Sequence, residues 1–345
     1  MVMELGDRAR GILFAIVDDF LRTGIPIGSR TISKKKGIDV SPATIRNIMS
    51  DLEESGLLAQ PHTSAGRVPT DRALRFYVDS LVEIKDISED EERQIIGSIN
   101  PANMELRDMV RETSRVLAKI SHYASVVMTP RFTDNIFKYI DFIKLSDNRI
   151  LIILVSQTGM IHNKIIFDDA DMSADKLGWM ARYLNDILAD LTLHEVRRKI
   201  LEEMRNEKNL YDSLLMRALS ISKEVVEDEI KGEEIFVEGS TYVFDYPEFA
   251  DIEKMKQLFE TFENKHNLLK LLDKVAKAEG IKIFIGSESR INCMSGCALI
   301  ASPYRRGDQI LGSIGVIGPT RMNYERVIPI VNFTANLINT ILDDI

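Results

Sequence analysis

Arg46 and Asn47 stand side by side within Ser41 to Gly56, a stretch punctuated like a helix. They are the two side-chain types best shaped to read base edges: a guanidinium offers paired donors to the O6 and N7 of guanine, and a carboxamide matches the N6 and N7 of adenine. Around them lie Ser41, Thr44 and Ser50, with Arg30 and Lys34 upstream and Thr63, Ser64 and Arg67 downstream. Those residues suit phosphate contact and positioning rather than reading. Charge follows the same division. From Gly28 to Arg75 eight basic residues face five acids, so this window is +3 in a chain whose net charge is -9.

Other candidate chemistry is weaker. Gly312-x-x-Gly315-x-x-Gly318 has neither dinucleotide-fingerprint nor Walker-loop spacing, and reads as a strand with close packing. His194-Glu195 lacks a second histidine four residues after the first, so the zinc-protease motif is absent. Cys293 and Cys297 supply half of a zinc ligand set, with no histidine or cysteine nearby to complete it. The histidines at 62, 122, 162, 194 and 266 form no local cluster with serine or cysteine. No catalytic, cofactor-binding or metal-ligating residue is therefore assigned.

The elements that must position Arg46 and Asn47 are legible from periodicity. Ala9 to Leu21 repeats at helical spacing until Gly24 and Pro26 stop it, and a second, short helix runs from Ser29 through Ile32 to Lys36, ended by Gly37. In the third helix Ser41 suits the N-cap, Pro42 the first helical position and Gly56 the residue past the end. Ile45, Ile48, Met49 and Leu52 share its inner face, while Ala43, Arg46, Asn47 and Ser50 share the outer one. Asp51, Glu53 and Glu54 crowd its C-terminal end, which leaves only the N-terminal half suited to approach DNA. Two short strands, Leu57 to Gln60 and Arg67 to Pro69, flank a small, hydroxyl-rich tip. Three helices and such a wing predict a winged helix-turn-helix; a helical module that binds protein would show the same core periodicity.

These residues also carry a resemblance. SPATIRNIMSDLEESGLL from Ser41, PHTSAGRVPTD from Pro61, GSRTIS from Gly28, GSE from Gly286 and GSIGVIGPTRMNY from Gly312 closely resemble the heat-inducible transcription repressor family, HrcA. The resemblance implies a dimeric repressor that binds a long inverted repeat, the CIRCE operator, upstream of chaperone genes. It also implies regulation in which the GroEL chaperonin keeps the repressor active until heat-damaged protein occupies it. The implied fold is a winged helix followed by a GAF-like domain that carries an inserted dimerisation segment.

Taken together, periodicity and resemblance divide the α+β chain into residues 1–83 as the DNA-binding unit and 84–102 as a linker. A GAF-like domain follows over 103–167 and 231–345, interrupted by a helical dimerisation insert over 168–230. Ile136 to Leu145 and Arg149 to Val155 read as strands of an antiparallel meander, and Ile281 to Ile285, Cys297 to Ser302 and Gln309 to Ile317 as later ones. Two cysteines, no apolar run near membrane-spanning length and no basic, apolar, small-residue leader point to a reducing cytoplasm and no membrane partner. A ligand-sensing regulator and an enzyme or protein scaffold are the competing readings.

Overall fold

Gly24, Gly37 and Gly56 adopt φ of +67°, +90° and +71°, and each stands where the sequence stops a helical segment. The computed structural model describes residues 5–62, 65–81, 86–99, 106–129, 136–146, 148–157, 161–167, 172–206, 219–223, 235–249, 252–263, 265–291, 294 and 296–344. The chain divides into two compact units, one of residues 1–128 with 235–345 and one of residues 129–234.

The first unit begins with α1 (Asp7–Thr23), whose Ile12, Leu13, Ile16 and Val17 are buried. The four-residue α2 (Ser29–Ile32) is shorter than expected; turn hydrogen bonds carry the chain onward from Ser33 to Gly37. In α3 (Pro42–Glu54) the Ser41 hydroxyl accepts the Thr44 backbone N–H at 3.2 Å, and Ile45, Met49 and Leu52 are buried. Strands β1 (Leu58–Ala59) and β2 (Val68–Pro69) pair antiparallel, Leu58 opposite Pro69. Ile27 and Arg67 exchange backbone hydrogen bonds of 2.9 and 2.8 Å, adding a third line to the hairpin base. That approach is so close that a Cβ on Gly66 would overlap the Ile27 backbone. Thr70 caps α4 (Asp71–Asp79), which buries Leu74, Tyr77 and Val78.

Helix α5 (Glu89–Ser98) is capped by Ser88 and Glu91, as their spacing predicts. It is not a free linker. Ile95 and Ile99 are buried in the main core, and Arg326 donates to Glu91 Oε1 at 2.8 Å. Residues 82–85 and 100–105 lie outside the described ones.

Next come α6 (Leu106–Ser121) and β3 (Ala124–Met128), the latter buried along its whole length. It joins β7 (Ile235–Glu238), β8 (Lys282–Ile285), β9 (Cys297–Arg306) and β10 (Gln309–Pro319) in an antiparallel sheet ordered β7-β3-β10-β9-β8. Val127, Ile300, Ile314 and Val316 share a core with α6 and the last helix, α11 (Tyr324–Asp344). Val126, Met128, Leu299 and Ile317 share another with α9 (Ile252–Glu263) and α10 (Lys265–Ala276). Helices on both faces explain why these strands read as unbroken apolar runs rather than alternating ones. The glycines at 312, 315 and 318 serve this packing: a Cβ at Gly312 would overlap Met128 O and the Tyr304 hydroxyl, and one at Gly318 would overlap the Tyr123 ring.

The second unit corrects the expected boundaries. β4 (Phe137–Ser146), β5 (Arg149–Ser156) and β6 (Ile161–Phe167) form their own three-stranded antiparallel sheet, so the interruption spans residues 129–234 instead of 168–230. Periodicity identifies strands but not which sheet they join, because pairing partners are set by tertiary contacts. Helix α7 (Ala174–Leu188) covers one sheet face, with Leu177, Met180, Leu184 and Leu188 against Phe137, Ile140, Ile152 and Leu154. Asn185 donates to Ile140 O at 3.0 Å and accepts from Ile140 N at 2.7 Å, satisfying backbone groups on the edge strand β4. Helix α8 (Leu193–Asn206) adds Val196 and Ile200 to the same core.

Candidate nucleic-acid interface

The apolar stripe of α3 fixes its rotation. With Ile45, Met49 and Leu52 buried and Ile48 partly so, Ala43, Arg46, Asn47 and Ser50 must face solvent, and all four are exposed. Ser41 and Thr44 are exposed at the N-terminus of the helix, their hydroxyls 3.0 Å apart. Arg30 and Lys34 are exposed on and just after α2, which packs on α3. Seven of the expected contact residues thus share an accessible surface of helices α2 and α3. Thr63 and Ser64 lie outside the described residues, as does Cys293.

Arg67 and Lys35 are engaged internally. Arg67 sits at the base of the hairpin rather than its tip, and its Nε donates to Glu53 Oε2 at 2.7 Å. This pair neutralises one of the three acids at the C-terminal end of α3, leaving Asp51 and Glu54 exposed there. Lys35 reaches Asp19 Oδ1 at 2.6 Å and donates to Ala15 O at 2.9 Å, so the middle of the Lys34-Lys35-Lys36 run braces α1. Burial alone would raise the Asp19 pKa, but the hydrogen bonds and charges of Lys35 and Arg22 prevail and lower it. Lys34 and Lys36 remain exposed on either side. Gln60 donates to Ala65 O at 3.1 Å across the hairpin end.

The seat of this module involves residues that sequence reasoning did not assign. Asp71 Oδ2 accepts from the Ser287 N–H at 3.0 Å and from its hydroxyl at 3.1 Å. One turn later, Arg75 grips Glu288 with two donors, at 2.9 and 2.5 Å, and also donates to Ile283 O at 2.5 Å. Gly286, at φ +52°, lets the turn meet α4, since a Cβ there would overlap the Asp71 carboxylate. Burial would raise the Glu288 pKa, yet Arg75 and the Ile285 N–H together hold it below its ordinary value. The Tyr77 hydroxyl donates to Asp18 Oδ1 at 2.8 Å and lies 3.3 Å from Glu325 Oε1. Partners about 210 residues apart leave no spacing signal; the GSE stretch from Gly286 was the one visible trace.

The polar face of α3 is thus turned outward, its apolar face is seated in the core, and the β1–β2 hairpin follows it. The model of the HrcA protein C terminal domain matches residues 107–328. The chain is 46% identical over 340 residues to the heat-inducible transcription repressor HrcA of Geobacter sulfurreducens, covering 99% of each. It is 44% identical over 342 residues to the repressor of that name from Syntrophobacter fumaroxidans, covering 99% of this chain and 98% of the other. A crystal structure of a hypothetical protein shares the fold over 99% of both chains, with a TM-score of 0.67 at 22% identity. The chain belongs to the heat-inducible transcription repressor HrcA family.

Proposed function

We propose that this chain is a sequence-specific DNA-binding repressor of heat-shock genes that acts in the cytoplasm as a homodimer on an inverted-repeat operator of the CIRCE type. The observation that carries the reading is the exposed outer face of α3, where Arg46 and Asn47 stand in its N-terminal half and the exposed acids are confined to its far end. Residues 1–83 are read as a winged helix-turn-helix, and the five-stranded sheet with its helices as a GAF-like domain. Arg46 reads guanine and Asn47 adenine. Ser41, Thr44, Ser50, Arg30 and Lys34 hold phosphates, with Thr63, Ser64 and Arg67 supplying the wing; Arg67 does so only if its pairing with Glu53 yields to a phosphate.

The dimer is supported by the sheet face that α7 leaves uncovered. Ile143, Leu151 and Ile165 lie in register across it, and Ile161 and Phe167 are 66% and 76% exposed. An apolar strip of this kind normally marks an interaction surface, and a second copy is the occupant an inverted repeat requires. The name shared by the relatives, heat-inducible transcription repressor, supports relief of repression by heat; in this proposal the GroEL chaperonin sustains repression until then.

Footprinting on an inverted-repeat duplex and a scrambled control, at two salt concentrations, tests the reading. Two protected half-sites on the repeat alone are expected. With four to six phosphates neutralised per protomer, the logarithmic salt slope for a dimer is about -7 to -11. Equal protection of both duplexes, or a slope near zero, contradicts it.

A further inference from the structure

Four cations, one of them on a strained residue, line an open concavity of about 370 Å³ in the first unit. Lys270 and Lys274 are one helical turn apart on α10, and Lys277 follows on the continuing turn, its N–H bonded to Asp273 O at 3.1 Å. Asp273, three residues from Lys270 and four from Lys277, offsets part of this charge and leaves the strip at +2. Across the cavity, Arg290 adopts φ +56° and ψ 26°, a left-handed conformation in which a Cβ is crowded and for which glycine is the natural occupant. The strained turn is braced from within: the buried Ser289 hydroxyl donates to Gly286 O at 3.1 Å and accepts from the Ile291 N–H at 3.2 Å. Four exposed cations and one carboxylate, Asp273, therefore line one concavity, a lining of +3 in a chain of -9.

We propose that this cavity binds a small phosphate-bearing molecule, with Lys270, Lys274, Lys277 and Arg290 sharing the anionic oxygens of a diphosphate group. A counter-anion neutralises the positive charge of this lining that Asp273 leaves over, and gives the left-handed arginine a partner. The diphosphate matches better than a single phosphate, because its charge spreads over two centres as the four cations are spread over two walls. A DNA backbone fits less well, since it tracks cations along an extended surface and these four line a single concavity. The site is separate from the face of α3 and does not depend on DNA binding.

Calorimetric titration of the full chain with sodium pyrophosphate and with orthophosphate, at matched ionic strength, tests the proposal. One saturable site per chain is expected, with pyrophosphate bound about tenfold tighter than orthophosphate. Arg290→Gly relieves the left-handed strain, so it melts no lower than the parent while pyrophosphate affinity falls about tenfold. Lys274→Gln lowers affinity similarly with the fold intact, and carries the test alone should the glycine variant fail to fold. Absence of a saturable heat, or affinity unchanged in folded Lys274→Gln, overturns the proposal.

Discussion

Replacing Glu288 by glutamine removes one charge from the seat of α4 while keeping size and an acceptor oxygen. Arg75 and Glu288 are 29% and 33% exposed, so the pair lies between surface bridges worth up to about 1 kcal/mol and hydrogen bonds to charged groups worth roughly 1.5 to 3. The neutral amide retains part of the bidentate contact, and Ile283 O and Asp79 still engage the guanidinium. Glu288→Gln should therefore cost about 1 to 2 kcal/mol near neutral pH. Because the folded pKa of Glu288 is lowered from 4.5, its contribution is present above that value and is lost as pH falls through the folded one. Urea unfolding followed by circular dichroism, from pH 7 down to 3.5, measures both proteins. A stability gap that narrows as pH falls below 4.5 is expected. A gap that is absent at neutral pH, or that widens as pH falls, would refute the argument that Arg75 and Glu288 seat α4 by charge.

Three further outcomes are expected. Arg46→Ala should relax sequence preference at the operator and cost roughly 1 to 3 kcal/mol, whereas Lys34→Ala should weaken binding to specific and scrambled duplexes alike, as measured by competition gel shifts. Gly312→Ala should lower stability by about 1 to 3 kcal/mol or more in urea unfolding, because the new methyl meets Met128 O and the buried Tyr304 ring; an unchanged midpoint would remove the packing account of that glycine. Phe167→Glu and Ile165→Glu, on the uncovered face of β6, should shift the sedimentation coefficient toward a monomer with little change in secondary structure, and a persistent dimer would place the contact elsewhere.

Local grammar makes roughly the first eighty residues legible. Ser41, Pro42 and Gly56 bound α3 because caps and chain breakers act within one turn, and the stripe Ile45, Met49, Leu52 fixes which side chains face out. The glycines at 312, 315 and 318 are likewise readable as packing positions, since their spacing fits no phosphate loop. Contacts between distant segments leave no such trace. β3 and β4 are neighbours in the chain yet belong to different sheets, and nothing in their alternation says so. The expected linker contains a packed helix because Ile95 and Ile99 join the main core, where α5 packs on the next helix, α6, and on α11 far downstream. Arg67 reads as a free wing cation, but Glu53, fourteen residues earlier, lies beside it and accepts its hydrogen bond.

The most direct test of the central claim is methylation interference on the operator, comparing the parent protein with Arg46→Ala. Guanine N7 faces the major groove and adenine N3 the minor, so the pattern reports which groove the helix enters. Methylation of one guanine N7 in each half-site is expected to block the parent and to leave the remaining binding of Arg46→Ala unaffected. Interference confined to adenine N3, or the same guanine pattern in both proteins, would show that α3 does not read DNA through Arg46.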